Sequence, residues 1–215
     1  MTRKPSSKLP GRPRAFDESR ALDAAMELFA SKGYDATSLS ELEDAMGINR
    51  VSLYGAFGNK EALFVKAMLR YTDQGNLRFG ECLGGSVTAQ SVRAFLEQAV
   101  EMFTNPEALG VCFITQAPMT QTSVSAETKR FVVSQRQGIE GMLAERLRRG
   151  VADGDLPRDL AIGDFARYFA GVVLGLALQA QHGATRADLL RVVDICMNSL
   201  PEAAAVSPRR KRSRG

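Results

Sequence analysis

Apolar residues recur through the interior of this 215-residue chain at three- and four-residue intervals, the period of one face of an α-helix. Leu22, Ala25, Met26 and Phe29 stand at i, i+3, i+4 and i+7, with Asp17 placed as N-cap before them and Gly33 as a stop after them. Ser38-x-x-Glu41 matches a capping box and opens a short second helix that carries Leu39, Leu42, Ala45 and Met46 inward until Gly47 breaks it. Asn49 caps a third helix, Arg50 to about Phe57, and Asn59 a fourth, with Leu63, Phe64, Ala67 and Met68 on one face. No stretch sustains strand-like alternation and no Asn-Gly turn joins β-branched runs, so the fold class is all-α.

Gly75, Gly80, Gly84 and Gly85 are expected to fray the fourth helix and mark a boundary. Longer helices follow, over about Thr88–Asn105, Leu109–Pro118, Ala126–Arg149, Asp159–Gln181 and Thr185–Leu200. A composition of 45% hydrophobic and 24% charged residues excludes disordered and disulfide-scaffold classes. The longest uncharged apolar run, Tyr168 to Leu178, falls well short of the roughly 20 residues that cross a bilayer, so no membrane partner is expected. The N-terminal stretch lacks a signal peptide's apolar middle, and the three cysteines fit neither a disulfide framework nor a zinc pattern; the expected setting is the cytoplasm.

Charge is unevenly placed. Of the net +4, residues 1–14 carry +5 and residues 209–215 another +5, which leaves −6 for residues 15–208. A polyanion partner would therefore be met by local groups rather than by the body as a whole.

Ser38–Tyr54 has the spacing of a helix-turn-helix. Glycine suits the turn, and Leu42, Ala45, Ile48, Val51 and Leu53 can lock the two helices at a steep angle. In a DNA-binding version the N-terminal residues of the second helix meet base edges, which makes Arg50, Ser52, Tyr54 and Gly55 the exposed candidates. The wider pattern decides between this and a structural helix pair. Leu28-Phe29-x-x-x-Gly33-Tyr34, Thr37, Leu42, Met46-Gly47-Ile48, Leu53-Tyr54, Phe57 and Lys60-Glu61-x-Leu63-Phe64 resemble the N-terminal domain of the TetR/AcrR family of bacterial transcriptional regulators, over about residues 11–65.

The resemblance implies a homodimeric, ligand-responsive DNA-binding protein, usually a repressor. Its parts would be a basic arm (1–14), a three-helix DNA-binding domain (15–65), a helical ligand-binding and dimerisation domain (66–200) and a basic tail (201–215). By position, Thr37 contacts phosphate or caps the second helix. Tyr54 and Lys60 clamp the backbone, while Arg50, Val51 and Ser52 read bases and Arg12 and Arg14 lie in or beside the minor groove. Phe57 reads as core, and Tyr54 has a core reading too. Because Gly55 and Gly58 leave few side chains there, specificity would lean partly on DNA shape.

The second half is less legible. It has no Walker loop, and the lone His182 beside Gly183 reads as a helix end, so no metal or cofactor is expected. Phe165, Phe169, Val172, Val173 and Leu176, with Gly171-x-x-x-Gly175, and Leu189, Val192, Val193, Cys196 and Leu200 form stripes on the last two helices, through which the resemblance implies dimerisation. Cys112 reads as a buried thiol or an oxidant sensor, and it heads a ligand-contact list with Phe113, Phe131 and Phe169 that resembles a core list. An activator, a cysteine-based redox regulator and a small enzyme using Cys112 are the competing functions; the chain is not expected to be an enzyme. Ligand binding would move the fourth helix like a lever and pull the recognition helices out of register with the DNA.

Overall fold

The computed structural model of the chain describes residues 16–105 and 124–201. Among them lie eight helices and no strand: α1 (Glu18–Lys32), α2 (Leu39–Met46), α3 (Arg50–Phe57), α4 (Lys60–Leu83), α5 (Thr88–Thr104), α6 (Ala126–Asp153), α7 (Ile162–Gln181) and α8 (Arg186–Met197). The arm, the segment expected over Leu109–Pro118 and the tail from residue 202 lie outside the described residues.

The first four helices begin where their caps dictate. The Asp17 carboxylate accepts from the Ser19 and Arg20 N–H groups at 2.9 and 3.1 Å, and Asn59 accepts from Ala62 at 2.7 Å. Packing of α1 on α4 and α2 then buries the apolar faces. Phe64 is fully buried, its ring edge-on to Phe29 at 5.3 Å and to Tyr34 at 5.1 Å. Outside this aromatic cluster Arg70 of α4 forks onto the Asp23 carboxylate of α1, with Nε and Nη2 donating at 2.9 and 3.0 Å. α1 and α3 thus rest directly on α4, and α2 is held through α1 and α3.

The rest is a helical bundle in which α5 packs on α4, α6 and α7, α6 packs on α4 and α7, and α8 closes against α5 and α7. The turn between α4 and α5 is latched to α6. Buried Arg146 donates to the Gly85 and Ser86 carbonyls, each at 3.2 Å, and Arg149 donates to the Leu83 carbonyl at 2.5 Å. Asp155 accepts the Thr88 N–H at 2.5 Å and so holds the start of α5. Glycine is needed at Gly150, where a Cβ would stand 2.2 Å from the Thr88 hydroxyl.

Three expectations need correction. α4 does not fray at Gly75 or Gly80 but continues to Leu83, because Phe79 and Leu83 are buried and the Phe79 ring packs on Phe95 at 4.6 Å. That tertiary contact outweighs a glycine cost of about 1 kcal/mol per residue. Ala45 points to solvent; Leu42 and Met46 alone are buried in α2. On α7 and α8 the expected interface stripes are largely internal: Phe169, Val173, Leu176, Leu189, Val193, Cys196 and Leu200 are buried within this one chain. The exposed apolar positions are Tyr168, Leu178 and Ile195, the last 71% exposed.

Candidate nucleic-acid interface

The turn between α2 and α3 is built from local chemistry. The Ser38 hydroxyl accepts the Glu41 N–H at 3.2 Å while the Glu41 carboxylate accepts the Ser38 N–H at 2.8 Å, the reciprocal capping box. Gly47 takes φ 65° and ψ 30°, a left-handed conformation that a side chain would strain, and its N–H returns to the Glu43 and Asp44 carbonyls. Asn49 then accepts the Ser52 N–H at 2.9 Å and starts α3.

On α3, Leu53 and Phe57 are buried one turn apart, which turns Arg50, Val51, Tyr54 and Gly55 outward; Ser52 is half-buried at the edge. Val51 is 83% exposed and Tyr54 44%. An exposed valine in the first turn of a helix gains nothing from the fold and suits contact with a thymine methyl. The Arg50 Nε donates to the Glu43 carboxylate at 2.5 Å. That bond, the main cause of a guanidinium pKa pushed above its usual value, fixes the side chain across the turn and leaves the outer Nη edge for an acceptor pair such as guanine O6 and N7.

Thr37 differs from expectation. It is 1% exposed and its hydroxyl donates inward to the Gly33 carbonyl at 2.7 Å; the cap of α2 is Ser38. Its hydroxyl is thus committed to the end of α1, and the groups at the start of α2 that face solvent are Ser38 and the first-turn N–H donors. Lys60 opens α4 with Nζ 4.3 Å from the Tyr34 ring centroid, and burial lowers its pKa against the opposing pull of Asp35 and Glu41. Arg12 and Arg14 lie outside the described residues.

Residues missed from sequence support this surface. Lys66 donates to the Ala56 carbonyl at 3.0 Å and lies 5.3 Å over the Phe57 ring, which ties the end of α3 to α4. Glu43 was hidden because its partner lies across a turn, where no helical spacing rule applies. Glu61, beside Lys60, accepts the N–H of Ser125, the cap residue of α6, at 2.8 Å; its pKa is lowered chiefly by the Ser125 and Thr128 side chains. The N-terminal end of α4 is thereby joined to the start of α6.

Glu41 also pairs with Lys32, and this bond together with Ser38 brings its pKa from the ordinary 4.5 down to about 2. A depressed carboxylate contributes stability that is complete above pH 4.5 and lost as pH falls toward 2. A carboxyl-carbon NMR titration is expected to place the Glu41 midpoint near 2, rising in Lys32→Met. A wild-type midpoint at 4.5 would contradict the contact.

A cavity opens between α4, α5, α6 and α7, lined by Tyr71, Thr72, Gly75, Asn76, Phe79, Met102, Phe103, Gln135, Gly138, Ile139 and Val173. It is small, with room for water centres over about 40 Å³. Of the expected ligand contacts, Phe131 is half-buried and Phe169 fully buried, and neither lines this cavity; Cys112 and Phe113 lie outside the described residues. Burial raises the thiol pKa of both Cys82 and Cys196, the opposite of what a thiolate sensor needs. Among the described residues no three His, Cys, Asp or Glu side chains group as a metal site, and no helix is long and apolar enough to cross a membrane.

Residues 21–67 match the domain described as "Bacterial regulatory proteins, tetR family", and residues 88–195 match "Tetracyclin repressor-like, C-terminal domain". The chain belongs to the TetR family of bacterial transcriptional regulators. The HTH-type transcriptional repressor ComR of Escherichia coli K12 is 29% identical over 195 residues, covering 89% of this chain and 92% of ComR. The uncharacterized HTH-type transcriptional regulator YezE of Bacillus subtilis 168 is 31% identical over 193 residues, 88% of this chain and 99% of YezE. Among solved structures, a cysteine mutant of the TetR family regulator CifR complexed with 26-bp double-strand operator DNA superposes with a TM-score of 0.84 at 37% identity, covering 89% of this chain and all of the CifR chain. These relatives are regulators of transcription. Such a protein works through DNA.

Proposed function

We propose that the chain is a homodimeric repressor that reads a near-palindromic operator with α3 and leaves it when a small molecule occupies the cavity beside α4. The observation that carries this reading is the presentation of Arg50, Val51 and Tyr54 from a capped, left-handed-turn-anchored helix. CifR, 37% identical, has been solved on its operator DNA, and ComR is named a repressor. Tyr54, Lys60 and the start of α2 would hold phosphates, with Arg12 and Arg14 beside the minor groove.

Dimerisation would use α7 and α8, where Tyr168, Leu178 and Ile195 are exposed. Among the described residues nothing approaches within 4 Å of a Cβ placed on Gly171 or Gly175, which leaves room there for the close approach of another chain. Coupling would run along α4. Its first turn carries Lys60 and Glu61, while Tyr71, Thr72, Gly75, Asn76 and Phe79 of the same helix line the cavity, beginning about 16 Å further along. A ligand shifts the equilibrium only as far as it prefers the released arrangement, so the cavity must differ between the two forms.

Selection from a random-sequence duplex library tests the reading. Enrichment of a near-palindrome, with affinity falling steeply as salt rises, is expected. Recovery of no shared sequence would overturn it.

A further inference from the structure

We propose that Glu43 is a positioning residue for DNA reading, whose carboxylate withholds the Arg50 guanidinium from phosphate and so sets the preference of α3 for its operator; this rests on the repressor reading above. Glu43 is fixed at its root by the turn, since its carbonyl accepts the Ile48 N–H at 3.2 Å where α2 ends. From there its carboxylate, 22% exposed against 54% for the Arg50 side chain, reaches across the turn to Nε at 2.5 Å. That contact uses one of the guanidinium's five donors. Glu41 of the same helix serves the capping box and Lys32, whereas among the described residues the partner of the Glu43 carboxylate is Arg50.

An arginine free to swing at the start of a recognition helix meets phosphates on any sequence, which adds affinity without information. Held through Nε, the Arg50 fork keeps one plane, and a base edge with two acceptors in that plane satisfies it where a phosphate off to the side does not. The carboxylate also offsets the guanidinium charge, so the pair exerts a weak long-range pull on the backbone. A negative charge beside the reading face costs affinity on every sequence. It raises specificity because the two bonds from Arg50 offset that cost on the matching base alone.

The test compares wild type, Glu43→Ala, Arg50→Ala and the double variant, each full-length, by fluorescence anisotropy on the library-selected duplex and a scrambled one across a salt series. Glu43→Ala is expected to bind scrambled duplex about threefold more tightly near 0.1 M salt, with a salt slope steeper by about 1 as Arg50 takes up a phosphate. The ratio of selected to scrambled affinity is expected to fall roughly tenfold. In the Arg50→Ala background the same change should leave that ratio as it was, because nothing remains to be positioned. Glu43→Gln, which keeps the shape without the charge, is expected to shift in the same direction by less, and it serves if the alanine variant melts lower. An unchanged ratio and slope overturn the proposal, and so does weaker binding to both duplexes alike. A fall in ratio as large in the Arg50→Ala background also overturns it, since Glu43 would then contact a base itself, as an acceptor for a cytosine amine. Wild type that prefers no sequence would overturn the repressor reading along with this one, whereas a wild-type preference that survives in both Glu43 variants confines the fault to Glu43.

Discussion

Replacing Arg50 with alanine is expected to weaken operator binding by roughly 1–3 kcal/mol, about 5- to 150-fold, with a much smaller loss on random duplex. The unequal loss follows from geometry. Glu43 holds the Arg50 Nε at 2.5 Å, so the outer edge of the guanidinium is presented in a fixed plane, and two parallel bonds to one base discriminate among sequences where a bond to phosphate does not. Arg50→Lys is not expected to rescue the variant, because an ammonium offers a point charge without the fork. Fluorescence anisotropy on operator and scrambled duplexes at one salt concentration provides the check. Equal losses on the two DNAs would make Arg50 a phosphate contact.

Phe64→Ala should be the more damaging change to the fold, at about 3–5 kcal/mol, because a fully buried ring that joins α1, the Tyr34 turn and α4 leaves a void those helices fill only in part. For a chain of this size that corresponds to a fall in melting temperature of roughly 6–20 °C. Protomer concentration must be held constant, since association stabilises the folded state. Arg50→Ala, with its side chain exposed, should melt within a degree or two of the wild type. The pair separates loss of reading from loss of structure. Equal melting of Phe64→Ala and wild type would show that the aromatic cluster does not support the small domain.

The parts of this architecture that could be read in advance are those whose cause is local. Ser38, Asn49 and Asn59 each bond an N–H three residues on, and Gly47 is identified by the backbone angle it alone tolerates, so four residues in a row suffice to place each helix start. What stayed hidden depends on residues far apart in the chain. The continuation of α4 through Gly75 and Gly80 rests on Phe79 meeting Phe95, and the inner face of α7 is chosen by its neighbours rather than by its own stripe. Glu43 is aimed at Arg50 by the turn between them. The cavity is a meeting of four helices, lined by Asn76 and Gln135 as well as rings, whereas aromatic residues alone pointed to Phe131 and Phe169, which lie elsewhere. Thr37 shows the reverse error: a matched position whose hydroxyl is already taken by the Gly33 carbonyl.

Charge placement gives the account its sharpest constraint. Residues 15–208 sum to −6, so attraction to DNA must come from local basic groups rather than from the body as a whole. Guanine-methylation interference on the selected duplex tests this most directly. The expected result is interference confined to major-groove guanines in two half-sites about one helical turn, or a whole number of turns, apart, with the Arg50-dependent guanine lost in Arg50→Ala. Interference spread evenly along the duplex, or a pattern identical in wild type and Arg50→Ala, would contradict reading by α3.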